Sequence, residues 1–408
     1  MTDSPMKAAR VRAPLASLPD EWSWTKFGYH FSESDERNGQ DPPGPLLSIS
    51  EYRGVELNLR TDGQRPSEDV SNYRVVRPGQ LAANMMWLNH GGLGVSDLTG
   101  YISPAYKAFW ISDAFDPRFV HHLLRSREYI NYFAAVGTGV RPNSQMVTKT
   151  VLDMTPIPMP PIEGQRHIAD YLDREVGKID AMIAKTDALA ELLESRAGSV
   201  IERNTVGRPG TSTRMKFCGD VALGKTFQGE RRSRGETLVN YVRAASIQPK
   251  GLALDDQRMW MSATELDTHD LKKGDVLVVE GGGGFGRSVV LDTDMPGWGY
   301  QNHVIRIRPY RNQDGGFLNY CVKGHYFAGL INVLADGATI PGLSSEKVRN
   351  LPIPELTVDE QCYVADRLDE TTGEINAVAS KLAELRTLLV ERRSALISDV
   401  VSGRKKVA

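Results

Sequence analysis

Apolar positions near the end of the chain step by four and three: Val364, Leu368, Thr371, Ile375, Val378, Leu382, Leu385, Leu389, Arg392 and Leu396. Steps of this kind, sustained over several heptads, predict a long helix whose seam packs on another helix. A looser copy lies half a chain earlier, through Ile168, Leu172, Ile179, Met182, Thr186, Leu189, Leu193 and Val200. Pro158, Pro160 and Pro161 block helix before the first copy, and Pro352 and Pro354 do so before the second. Gly177 and Gly373 interrupt the two patterns and are expected to mark a kink or a tight approach to a partner helix.

The copies match residue for residue. Pro156-Ile157-Pro158, Gln165, Ala169-Asp170, Leu172-Asp173, Gly177, Ile179, Lys185 and Leu189 all recur 196 positions later, without a gap. One long period occurring twice excludes a solenoid, whose units run to about 20–50 residues and need at least three copies. It predicts two similar halves related by a pseudo-two-fold.

The segments before each helix are strand-prone, punctuated by Gly, Asn and Pro, and also correspond. Arg77-Pro-Gly-Gln-Leu81 parallels Lys272-Lys-Gly-Asp-Val276, and Gly91–Ser96 parallels Gly283–Ser288. Gly100-Tyr101 parallels Gly299-Tyr300, each ahead of a β-prone run, Tyr106 to Ile111 and Val304 to Ile307. Their offsets drift between 192 and 199, so the heads share a scaffold and differ in loops, where recognition resides. The expected fold class is α+β: two mixed α/β heads, 1–153 and 207–350, joined by two long antiparallel coiled-coil helices in 154–206 and 351–408.

Composition is that of an ordinary soluble globular chain, and no apolar run approaches the eighteen or so residues of a membrane span. The polar N-terminus has no signal-like apolar stretch, and three widely spaced cysteines suit reduced thiols in the cytoplasm. The net charge of −2 hides a contrast, since residues 204–350 carry 19 Lys/Arg against 15 Asp/Glu. The helical segments are acidic, with 6 basic against 9 acidic residues in 154–203 and 8 against 10 in 351–408. Phosphate contacts would therefore fall to the heads, and so weak a charge calls for a partner to help grip DNA. The heptad run, about 36 residues at about 1.5 Å each, spans roughly 54 Å. That exceeds one turn of B-DNA, about 34–36 Å, so the helices are long enough to hold two heads over one duplex.

Several motifs imitate active sites. Gly281–Gly286 satisfies G-x-G-x-x-G, but the strand-like Arg287–Leu291 follows where a dinucleotide site needs a helix, so a glycine-rich hairpin is expected. Asp41-Pro-Pro-Gly44 and Ser103-Pro-Ala-Tyr106 resemble the adenine-methyltransferase tetrad, but each lacks one of its members and reads as a turn or a strand entry. His121, His122 and His303 have no companions at metal-ligand spacing, and no P-loop is present. No nucleophile–base constellation appears. What remains is polar loop chemistry of the kind that reads base edges. The candidates are Asn58, Arg60, Gln64, Arg65, Asn84, Asn89 and His90 in the first head, and Gln228, Arg231, Arg232, Arg234 and Arg287 in the second.

Two variable heads, each closed by Pro-Ile-Pro and a Gln-x-x-(Ile/Val)-Ala-Asp-x-Leu-Asp helix, resemble the specificity subunits of type I restriction–modification enzymes. Leu18–Trp22, Gly100–Tyr106, Gly139–Pro142, Gly274–Leu277 and Gln301–Arg306 also fit, and the resemblance covers the whole chain. It implies that each head is a target recognition domain reading one half of a split, asymmetric sequence in double-stranded DNA. It also implies that the helices form an antiparallel spacer that docks two methyltransferase (modification) subunits, with two restriction (motor-nuclease) subunits completing the complex. Leu172, Ile179, Leu193, Leu368, Ile375, Leu382 and Leu389 would form the spacer and partner surface. S-adenosylmethionine, ATP and Mg would then sit on partner subunits, with no cofactor on this chain. Two other readings remain. A coiled-coil scaffold binding only protein explains the helices but not the duplicated heads. A fused methyltransferase-specificity chain is opposed by the length and the missing motifs.

Overall fold

The computed structural model describes residues 18–59, 69–138, 146–249, 251–335 and 342–407. The chain divides into two compact units: residues 1–186 with 384–408, and residues 187–383. Both boundaries fall inside the two long helices, Ile162–Asn204 and Val358–Val401.

The first unit is built on an antiparallel sheet with strands in the order Phe31–Ser34, Lys107–Ile111, Leu81–Ala83, Leu93–Val95. Alternation along the central strand splits two cores. Leu81 and Ala83 face an aromatic core, while Ala82 joins Leu47, Val76, Ile102 and Ala108 under the hairpin Leu47–Ser50/Gly54–Leu57. In the aromatic core Phe27 stacks on Phe31 at 4.1 Å and meets Phe109 edge-on at 5.3 Å, and the helices Pro117–Leu124 and Arg127–Val136 cover it. Gly100 passes so close to the Pro45 carbonyl that a Cβ there would overlap it.

The second unit repeats the sheet as Gly219–Leu223, Val304–Pro309, Val276–Val279, Ser288–Val290. All four residues of Val276–Val279 are buried, with Val276 and Val278 in one core and Leu277 and Val279 in another. A three-stranded sheet, Arg258–Ser262, Glu236–Val242, Trp298–Tyr300, stands beside them.

Pro-Ile-Pro proves to be a strand in both units. Pro156–Met159 pairs with Ser23–Lys26, and Pro352–Pro354 pairs with Ser212–Arg214, with Ile157 and Ile353 fully buried. Proline is tolerated because each pair is a two-stranded ribbon with open edges. The helices that follow have 43 and 44 residues, longer than the heptad run predicts, because helix begins at once after Pro161 and at Val358.

Those extra turns change what the seam does. Leu172 lies in the aromatic core of the first unit with Ile168, Ala169 and Val176, and Leu368 lies in a core of the second with Val364 and Ala365. Both lie in a head core that the other long helix also reaches, through Ile397, Val400 and Val401 in the first and Ile201 in the second. Within the first unit Ile179 and Ile183 do meet Leu389, while Ile397, Val400 and Val401 pack near Leu172 and Val176, so the two helical segments run antiparallel there. Leu193, Ile375 and Leu382 are half-buried. The expected tight approach at Gly177 and Gly373 is not found, since a Cβ at either would meet nothing. Gly198 makes such an approach instead, against the ring of Phe327.

Candidate nucleic-acid interface

In the first head the sheet strands Leu81–Ala83 and Leu93–Val95 are joined by a glycine turn containing the short 3-10 helix Leu88–His90. The Asn84 N–H donates to the Gly92 carbonyl at 2.7 Å, and its side-chain oxygen accepts from the Met86 N–H at 3.2 Å. The His90 ring stacks on the exposed Trp87 at 4.3 Å, and Asn89 beside it is half-buried. Asn58 closes the neighbouring hairpin, its N–H donating to Leu46 O at 3.1 Å. Arg60, Gln64 and Arg65 lie outside the described residues, as do Gly139–Pro142 of the family pattern.

An arginine that the sequence reading did not single out organises these loops. Arg125 donates to the carbonyls of Leu93 (2.6 Å), Gly91 (3.1 Å) and Ser50 (3.3 Å) through one nitrogen and to Glu51 (2.6 Å) through the other. It thereby ties the glycine turn to the tip of the hairpin. Burial, with Arg393 nearby, brings its pKa down to about 10, so it stays charged at neutral pH. The hairpin tip is pinned again where Tyr52 donates to Asp180 at 2.6 Å, and Arg393 lies over the Tyr52 ring while pairing with the same carboxylate.

The second head presents its basic loop differently. Gln228 is buried, and its amide donates to Glu236 at 2.9 Å and to the Glu230 carbonyl at 3.0 Å. Its side chain therefore shapes the loop from within instead of facing outward. Glu236 also accepts from the backbone N–H groups of Arg232 (2.7 Å) and Ser233 (3.2 Å), and these bonds lower its pKa. Around this buried carboxylate Arg231, Arg232 and Arg234 stand exposed, with Arg231 laid over the Trp260 ring at 5.5 Å. Arg287 is half-buried at the end of the glycine segment. That segment is a hairpin, as expected: Gly282–Gly284 forms a 3-10 turn, and Ser288–Val290 returns antiparallel to Val276–Val279.

Both heads are tied to their long helix by the repeated glutamine. Gln165 accepts from Asp116 N–H at 2.9 Å and donates to Ala114 O and Pro160 O, while Asp116 caps the helix Pro117–Leu124. Gln361 accepts from Asp314 N–H at 2.9 Å and donates to Gln313 and Leu356 O, while Asp314 caps Gly315–Phe327. The repeated aspartates add a second tie, Asp173 to His122 at 2.8 Å and Asp369 to Tyr320 at 2.6 Å.

No family model matches the chain. Among curated proteins it is 24% identical over 278 residues to the type I restriction enzyme MjaVIII specificity subunit of Methanocaldococcus jannaschii, covering 62% of this chain and 63% of the relative. It is 19% identical over 305 residues to the StySPI specificity subunit of Salmonella potsdam, covering 70% and 65%. Both alignments thus span just under two thirds of the relatives' own length. A chain solved in work on complex assembly and conformational transition of the type I R-M system shares the fold, with a TM-score of 0.69 at 16% identity over 94% of this chain and 98% of that one. The chain is similar in sequence to type I specificity subunits. The helix-joined, two-headed α+β fold expected from the sequence is shared with that solved chain.

The motifs that imitate active sites take ordinary structural places. Ser103–Tyr106 is a turn entering the strand Lys107–Ile111, and Asp41–Gly44 is an irregular bend. The His121 ring accepts from Val95 N–H, and His122 is committed to Asp173. Among the described residues no group of His, Cys, Asp or Glu could hold a metal ion, and no helix is long and apolar enough to cross a membrane. The sequence reading also passed over Leu238, Asn240, Arg258 and Trp260, which share the outer face of one strand pair. Their signal was present as period-two alternation in Arg258-Met-Trp-Met-Ser262, where Met259 and Met261 are buried.

Proposed function

We propose that this chain is the non-catalytic DNA-specificity subunit of a type I restriction–modification system, each head reading one half of a bipartite, asymmetric site. The observation that carries the reading is the duplication itself. One scaffold is anchored twice to a long helix by the same glutamine, while the loops it presents differ in chemistry. Different loops on equal anchors suit two different half-sites at a set separation. In this reading methyltransferase subunits bring S-adenosylmethionine, motor-nuclease subunits bring ATP and Mg, and the complex works in the cytoplasm. Leu192, Leu388, Val378 and Leu385 are exposed apolar positions on the long helices, which supports docking of protein partners there.

Exposed apolar positions would equally suit a scaffold that binds only protein, so DNA binding is the discriminating property. Gel shift of the chain with a co-expressed methyltransferase partner, at modest salt, is expected to give a sequence-specific complex. Absence of any specific shift, with and without that partner, would overturn the proposal. Adjacent reading frames for a methyltransferase and a helicase-nuclease are the expected genomic setting.

A further inference from the structure

The loop arginines of the second head precede an antiparallel strand pair, a ribbon within the three-stranded sheet whose third strand, Trp298–Tyr300, joins along Asn240–Val242. Strand Glu236–Val242 pairs with Arg258–Ser262, placing Leu238 opposite Trp260 and Asn240 opposite Arg258 on one face. The other face, Val239, Tyr241, Met259 and Met261, is buried, so the outer face is held by packing as well as by the ladder. Arg258 Nε donates to Asn240 Oδ1 at 3.2 Å, which engages the acceptor of the couple. The Asn240 amide nitrogen and the terminal nitrogens of Arg258 have no partner among the described residues. The couple therefore offers hydrogen-bond donors, on a sheet and not on a loop.

Arg258 lies on the edge strand of this sheet, and guanine presents two acceptors in the major groove, O6 and N7, which match the arginine fork. Arg258 and Arg231, which lies over Trp260, stand on this face, and Arg232 and Arg234 are exposed in the adjoining loop, where Glu236 spends its carboxylate on the loop's own N–H groups. Exposed Leu238 adds apolar surface suited to a thymine methyl. We propose that this ribbon face is the base-reading surface of the second head: Arg258 takes O6 and N7 of a guanine, Asn240 donates to a neighbouring acceptor, and Arg232 and Arg234 hold phosphates. The inference rests on the DNA-specificity reading above, since it names which residues do that reading.

The test is methylome sequencing of a host carrying the complete system, with wild type, Arg258→Lys, Asn240→Ala and Arg234→Ala. Lysine keeps the charge but loses the fork, so it preserves phosphate attraction and abolishes bidentate reading. Arg258→Lys is expected to make one guanine position degenerate in the half-site that follows residues 207–350 when heads are exchanged. Discrimination at that base should fall about ten- to a hundredfold. Arg234→Ala should weaken binding of the purified complex evenly across sequences and leave the motif intact. If a variant strain shows no methylation, anisotropy of the purified complex on the wild-type site and on single-base variants decides the matter. Equal affinity for both supports the proposal, and retained discrimination overturns it. An unchanged motif with Arg258→Lys and Asn240→Ala, or a change confined to the other half-site, also overturns it. A wild-type methylome with no bipartite motif would instead sink the functional reading on which it stands.

Discussion

Gln165 and Gln361 occupy matching positions, each almost fully buried with every polar atom engaged. Alanine at either would leave a capping residue's N–H and two acceptors without a partner inside the protein. Such orphaned groups cost about 1–3 kcal/mol each, less where water can enter, so we expect each substitution to lower stability by about 2–3 kcal/mol in urea unfolding. A loss below about 0.5 kcal/mol would show that the glutamines are not the tie described. His121 gives a pH signature. Burial, reinforced by Arg125, holds its imidazole well below the ordinary 6.5, so it is neutral when folded and takes up a proton when unfolded in mild acid. Its stabilising contribution is therefore present above pH 6.5 and lost as pH falls below that value. His325 in the second unit, buried against the Pro352 carbonyl, adds in the same direction. The unfolding midpoint should fall from pH 6.5 downward, and His121→Asn should reduce that slope. An identical slope in the variant would assign the effect to other groups. Glu265, held down to about 2 by its bond from Lys225, adds a contribution that is present above pH 4.5 and lost as pH falls from there towards 2.

Each long helix serves successive partners along one stripe. Its first turns bury Ile168, Leu172 and Val176, or Val364 and Leu368, in a core shared with a head, and further along the first helix Ile179 and Ile183 meet Leu389. A heptad pattern reports that a face is buried but not by what, which is why head packing and interhelical packing look alike in sequence. The stretch between Ala181 and Glu194 lies beyond the core that Ile168, Leu172 and Val176 share with the first head, and its counterpart lies between Ala377 and Glu391. Deleting four residues from each, about 6 Å of helix, should shorten the spacer between half-sites. Methylome sequencing of the variant checks this, and an unaltered spacer would mean that the helices do not set the distance.

For the molecule as a whole, replacing residues 1–150 with the equivalent head of another specificity subunit should change one half of the recognised sequence. A change in both halves, read by methylome sequencing, would refute independent heads. The duplication, the helices, the strand-rich heads and the failure of Gly281–Gly286 as a nucleotide loop were all legible in the chain, because each depends on local spacing or on direct repetition. The surface that faces outward was not. Gln228 has the chemistry of a base reader, yet folding commits it to Glu236, while Arg125 belongs to no motif and ties two loops by four carbonyl bonds. Asn240 and Arg258 are 18 residues apart and become one couple only when their strands pair in register. By itself the sequence determined that there are two like units built on long helices, since periodicity and repetition are properties of the chain. Only the tertiary structure decided which polar side chains hold the loops and which are left to meet a ligand, because burial and hydrogen-bond partnership depend on contacts distant in sequence.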